Sequence, residues 1–178
     1  MLDFNNVKPS EKASTDFELI PDGTIAPVVF NIQKIAPTAA GDKQGMSVEF
    51  TILEGPYARR KFWGWMGISG SEQMVDITMR TVREMLESAY GFSKTDESPE
   101  ALAARTVEDW QDLAGLEFLA CIGIEKGTNG YSDKNKLKYA VAPTSPDYTG
   151  FTPAKVKASA PSAPAQAAQS NGSRPAWA

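Results

Sequence analysis

Within the first 70 residues, three stretches alternate apolar and polar side chains with a period of two, the spacing that sends neighbouring residues to opposite faces of a strand. After the turn signal Pro21–Thr24, Val28, Phe30 and Ile32 alternate with Val29, Asn31 and Gln33. A loop without periodicity, "APTAAGDKQG", leads to "MSVEFTILEG", where Val48, Phe50 and Ile52 point inward and Ser47, Glu49 and Thr51 outward. "EGPY" then turns into "YARRKFWGWMG", which predicts a third strand. On it Arg60, Phe62 and Met66 share one face, with Gly64 leaving a gap, and Arg59, Lys61, Trp63 and Trp65 share the other. Apolar residues on mostly one side of consecutive strands mark an antiparallel sheet.

The period then lengthens. "SGSEQMVDITMRTVREMLESAYG" has Ser71 as N-cap candidate and Gly91 at the stop position, which predicts a helix. Val75, Met79, Val82, Leu86 and Ala89 form a seam too short for a coiled coil, and it is expected to pack on the protein's own sheet. Short helices are predicted at "SPEALAAR" and "TVEDWQDLAG", and the many acids of this region read as solvated faces. Strand character returns in "LEFLACIGIEKG", with Phe118, Ala120, Ile122 and Ile124 on one face. It returns again in "KLKYAVAP", with Leu137, Tyr139 and Val141 inward and Lys136 and Lys138 outward.

Strand-strand-strand-helix-strand-strand is the order of the OB-fold, a small barrel that binds oligonucleotides on its second and third strands and flanking loops. The expected class is therefore mainly β with a helical insertion (α+β), an OB-like five-stranded barrel over residues 1–148 with residues 1–20 as an N-terminal extension. Residues 149–178 are Ala/Pro/Ser-rich and predicted to be disordered, because they cannot bury enough apolar surface to offset their ordering entropy. They end in Arg-Pro-Ala-Trp-Ala, so Arg174 and Trp177 are either a partner-binding tip on a flexible tether or incidental.

Composition narrows the chemistry. The 178-residue chain has no histidine and a single cysteine, Cys121, inside an apolar stretch. Cys/His zinc sites, histidine-based nucleophile systems and internal disulfides are thereby excluded, and Cys121 reads as a small core residue. No apolar run approaches the ~18 residues of a membrane span, and the N-terminus has no apolar signal core, so a cytoplasmic protein is expected. The net charge of −4 is unevenly spread: residues 71–115 carry −6, whereas 24–70 carry +2 and 116–143 carry +1. An acidic chain can therefore still present a basic groove.

The candidate binding surface gathers Arg59, Arg60, Lys61, Trp63 and Trp65 with Lys126, Tyr131, Lys134, Asn135, Lys136 and Lys138. Cations follow phosphates and aromatic faces stack on bases, the mixture that single-stranded nucleic acid needs. Either tryptophan could instead plug an end of the barrel while the lysines solubilise exposed strands. Glu49, Glu54, Glu125 and Asp133 raise a metal-dependent nuclease, but nothing in their spacing brings them together. "NGYSDKNK" lacks the spacing of a calcium loop, and "GISGSEQ" lacks the Lys-Ser/Thr of a phosphate loop. No catalytic residue, metal or cofactor is assigned.

"MLDFNNV", "FELIPDGTIAPV", "FTILEGPYARRKFW", "DLAGLEFLACIGIEKGTNGYSDKNKL" and the closing "RPAWA" resemble a family of small phage-encoded early proteins catalogued as a domain of unknown function. Its members are often described as single-stranded DNA-binding proteins and lie among replication and recombination genes. The resemblance implies a phage protein acting in the host cytoplasm, with single-stranded DNA as ligand and phage replication or recombination proteins as partners through the tail. It implies no catalytic residue. Better-known single-stranded DNA-binding proteins end in an acidic tip, whereas this tail ends basic and apolar at Arg174 and Trp177. An adaptor that binds a recombinase or a host protein is the alternative, and the oligomeric state stays open.

Overall fold

The computed structural model describes residues 18–154. Five strands, β1 (Thr24–Pro37), β2 (Gln44–Ile52), β3 (Lys61–Gly67), β4 (Leu116–Glu125) and β5 (Lys134–Ala140), follow the order read from the sequence. Between β3 and β4 lie α1 (Glu72–Tyr90), α2 (Pro99–Ala104) and a single 3-10 turn at Trp110–Leu113. The strands form one antiparallel sheet in the order β3-β2-β1-β4-β5. The sheet is open: β3 and β5 are its two edges, which approach within 8 Å between Cα atoms without pairing.

Register builds the core. It places Phe30 opposite Phe50, Phe50 opposite Phe62, and Val28 opposite Phe118. The Phe50 ring stacks on Phe62 at 4.8 Å, tilts against Phe30 at 5.5 Å and meets Phe118 edge-on at 6.3 Å. All four are at most 2% exposed. Burying each such ring is worth ~1.5–3 kcal/mol, so this aromatic row on the inner face dominates the cohesion of the sheet. Across it lies α1, which contributes Val82, Met85, Leu86 and Ala89.

Val82, Leu86 and Ala89 of the expected seam are buried, but the helix is turned enough that Thr78 and Met85 join them and Met79 is 55% exposed. A small residue such as Ser88 can face the sheet because its hydroxyl accepts the Leu119 N–H (3.2 Å) and donates to the Leu119 carbonyl (3.4 Å), which also accepts the Val141 N–H (2.8 Å). Ser71 stands at the N-cap without a side-chain capping bond, and Gly91 ends the helix in the left-handed conformation. The acids of this region are not all solvated. Glu87 is buried, and its carboxylate accepts from Arg83 Nε (2.8 Å) and Arg105 Nε (2.9 Å). Arg105 also donates to the Asp96 (2.6 Å) and Ser93 (2.8 Å) carbonyls, fastening the loop after α1 to the helix.

The last strand corrects another expectation. A bulge between Leu137 and Tyr139 shifts the pairing, so Leu137 lies opposite Ile122 but Tyr139 lies opposite Cys121. One extra residue reverses the faces beyond it. Tyr139 therefore points outward (42% exposed), Ala140 turns into the core, and Val141 joins Leu119 and Cys121 in a small cluster on the other side of β4. Cys121 is buried, as its apolar surroundings predict.

Both ends of the described chain are built into the packing. Ile20 is fully buried, and its N–H and carbonyl pair with the Asn135 side chain at 3.0 and 2.8 Å. Beyond β5, the Tyr148 hydroxyl donates to the Ser88 carbonyl (2.6 Å), Phe151 packs against Tyr148, and the Ala154 N–H reaches the Ala89 carbonyl (2.9 Å). The tail expected to be disordered from residue 149 is thus tied to the fold through Phe151 and Ala154 at its start; its remainder, the tip with Arg174 and Trp177, and the "MLDFNNV" segment lie outside the described residues.

Candidate nucleic-acid interface

The turn between β2 and β3 displaces two of the expected cations. The strand begins at Lys61, because Arg59 adopts a left-handed backbone (φ 70°). The turn closes through Arg59 N–H to the Ile52 carbonyl (2.8 Å) and Ile52 N–H to the Arg60 carbonyl (2.9 Å). Arg59 is thus not on a strand face with Lys61, nor Arg60 on one with Phe62. The Arg60 guanidinium instead sits 5.7 Å from the centre of the Tyr57 ring, within cation–π range.

From Lys61 onward the pleat holds. Lys61, Trp63 and Trp65 oppose Thr51, Glu49 and Ser47, all outward. The Glu49 carboxylate is the hub of this face: it accepts from Lys61 Nζ (2.9 Å), Trp63 Nε1 (3.2 Å) and Gln33 Nε2 (3.0 Å). The Lys61 hydrogen bond is the main cause holding the Glu49 carboxyl below its ordinary pKa, so the group stays ionised. Glu49 orients Trp63. A sequence shows Glu49 as one outward polar residue among several, and only the register places it beside Trp63.

Neither tryptophan is a core plug: Trp63 is 52% and Trp65 48% exposed. The Trp65 indole lies flat over Gly45, where an added Cβ would come within 2.2 Å of the ring, so a side chain at 45 would displace it. One indole face is thereby backed by β2, and the rest of the ring remains accessible.

The β3 edge from Trp63 to Gly67 forms one wall of a cleft of about 430 Å³ between the open edges of β3 and β5, with the inward-facing Val48 and Phe50 behind it. Glu125, Lys134 and Lys136 stand on the opposite wall, with Ile77 and Thr81 of α1 also lining it. The fold therefore brings together four of the residues named from the sequence: Trp63, Trp65, Lys134 and Lys136. It does not bring Arg59, Arg60, Lys61, Lys126, Tyr131 or Lys138 to that cleft. Asn135 is not a surface residue at all: it is buried, bonded to Ile20 and Gly123.

Several of the cations already face carboxylates. Lys61 pairs with Glu49 (2.9 Å), Lys126 with Asp133 (2.9 Å), Lys134 with Glu125 (3.3 Å) and Lys138 with Asp22 (3.3 Å). Arg59, Arg60 and Lys136 have no carboxylate partner among the described residues. Asp133 also accepts the Gly127 N–H (2.9 Å), the first cause of its lowered pKa, and so staples the loop between β4 and β5. Tyr131 stands at the tip of that loop, 81% exposed.

Glu49, Glu125 and Asp133 thus each serve a different cation, and they do not converge. Among the described residues no group of three or more acidic or cysteine side chains could hold a metal ion, and no helix is long and apolar enough to cross a membrane. Comparison with protein-family models and with curated proteins gives no match to this chain.

Proposed function

We propose that this protein binds single-stranded DNA without sequence preference or catalysis, on an OB-like face made by β2, β3 and the edge of β5. The observation that carries this reading is the pair of half-exposed indoles, Trp63 and Trp65, on the outward face of the strand that borders a cleft with Lys134 and Lys136 on its far side. Leaving two large apolar rings in water has no benefit for folding, whereas backed, accessible rings suit base stacking. Exposed ion pairs are worth only ~0–1 kcal/mol, so a phosphate can take the place of Glu125 at Lys134 at little cost. Lys136, Arg59 and Arg60 add positive charge with no carboxylate partner to displace.

On this reading the open gap between β3 and β5 is the mouth of an incompletely closed barrel, and bases enter from its rim. The resemblance to phage early proteins supports a role in phage replication or recombination in the host cytoplasm. The deciding experiment titrates the full chain with a labelled oligo-dT and a matched duplex at two salt concentrations. Salt-sensitive preference for the single strand, with tryptophan quenching, is the expected result. Trp63→Ala and Trp65→Ala should each weaken binding roughly 5- to 150-fold, the equivalent of ~1–3 kcal/mol per stacked base. Undiminished affinity in the folded double variant would overturn the site, and no binding at low salt would turn the reading towards a protein adaptor.

A further inference from the structure

On the opposite side of α1 from the tryptophan cleft's helix residues Ile77 and Thr81, a second groove of about 610 Å³ separates the helix from the Val107–Leu113 segment. Its walls are Met79, Val82, Leu86, Val107, Trp110 and Leu113, and Met79 is more than half exposed there. Charged side chains rim it. Arg83 and Arg105 are held by Glu87, Arg80 by Asp76 at 2.7 Å, and Asp109 caps the 3-10 turn. Glu108 has no ion-pair or hydrogen-bonding side-chain partner among the described residues. An apolar slot with a charged rim is the form that receives an aromatic anchor.

We propose that this groove is the docking site of the chain's own segment around Trp177, bound in cis. Trp177 is the sole aromatic residue after Phe151. Residues 155–178 carry three cations, Lys155, Lys157 and Arg174, and no acid. On the groove's rim Arg80, Arg83 and Arg105 already face Asp76 and Glu87, which leaves Glu108 as the acid open to a cation among the described residues. With Trp177 in the slot, Arg174 is the partner that Glu108 lacks.

The tether fits. The described chain ends with Ala154 bonded to Ala89 near the end of α1, and Val82 lies about 10 Å back along the helix at ~1.5 Å per residue. A random-coil chain with as many residues as 155–176 would span roughly 25 Å, enough to reach from Ala154 to the groove. Such tethering supplies an effective concentration in the ~mM range, enough for a short motif to occupy a groove that it would visit only weakly as a free peptide. This docking is independent of DNA binding and uses none of the residues assigned to it.

The test follows the tryptophan indole and methionine methyl resonances of the full-length protein. Trp177→Ala, which alters none of the described residues, should shift the Trp110 indole and Met79 methyl signals and leave those of Trp63 and Trp65 in place. A synthetic SNGSRPAWA peptide added to the Trp177→Ala protein at ~mM concentration should reverse the shift. Glu108→Lys should move the otherwise intact protein towards the Trp177→Ala spectrum. Unmoved Trp110 and Met79 signals would overturn the proposal. So would changes confined to Trp63 and Trp65, or a shift that depends on protein concentration, which would mean exchange between copies.

Discussion

Glu49 and Trp63 face one another across the β2–β3 pair, and the indole N–H of Trp63 donates to the Glu49 carboxylate at 3.2 Å. The same carboxylate neutralises Lys61 at 2.9 Å. It therefore fixes the ring that would stack and withholds the cation that would meet phosphate. Glu49→Gln keeps a hydrogen-bond acceptor for Trp63 and frees Lys61. Affinity for oligo-dT should rise, and the slope of log affinity against log salt should steepen by about 0.7 for the one added phosphate contact. An unchanged slope would show that the DNA backbone does not reach Lys61.

Arg59 holds a left-handed backbone that costs a non-glycine residue ~1–2 kcal/mol. Glycine would remove that cost and give back ~0.5–1 kcal/mol as chain entropy. Arg59→Gly should thus raise the thermal midpoint slightly while lowering affinity for single strands, because the turn loses a cation that no carboxylate neutralises. Calorimetry and titration on one preparation separate the two effects. A parallel fall in both would place Arg59 in the scaffold alone.

The Arg105 fork closes on Glu87 and on two carbonyls of the loop after α1. Arg105→Ala would leave a buried carboxylate with only Arg83, a change that typically costs ~3–5 kcal/mol. Urea unfolding should show a loss of about that size. DNA affinity per folded molecule should not move.

Acid should loosen the periphery first. Asp22 is held below its ordinary pKa chiefly by the Ile124 N–H and then by Lys138, Asp133 chiefly by the Gly127 N–H, and Glu49 chiefly by Lys61. Groups with lowered folded values stabilise the protein fully above the ordinary carboxylate pKa of about 4 and lose that contribution as the pH falls through the folded values. Urea midpoints should be level from about pH 7 to 5 and decline below about pH 4. Asp22→Asn with Asp133→Asn should lower the plateau and flatten the decline.

Much of the architecture was legible because alternation maps directly onto faces. Phe30, Phe50, Phe62 and Phe118 all lie where period-two reading places them, and Gly91 ends its helix as its backbone freedom predicts. What misled were single insertions and pairings. The bulge before Tyr139 reverses a face, and no residue type in "KLKYAVAP" announces it. Arg59 leaves the strand for a left-handed turn that side-chain pattern does not encode. Glu87 looks like any helical acid until Arg105, eighteen positions later, closes on it. The tryptophans were legible as a pair on one face, but their orientation depends on Glu49 and Gly45, whose nearness is a matter of register.

Ile20 and Asn135 exchange hydrogen bonds across 115 positions of sequence. On a ribosome extending at ~5–20 residues per second, Ile20 waits roughly 6–23 s for its partner to be made. During that interval the β1–β2–β3 meander is already synthesised, with its phenylalanine face uncovered by α1 and β4. Nascent chains of this protein therefore pass through a window in which holdase chaperones have a sticky, three-stranded client, and pauses in translation between codons 70 and 135 should lengthen it.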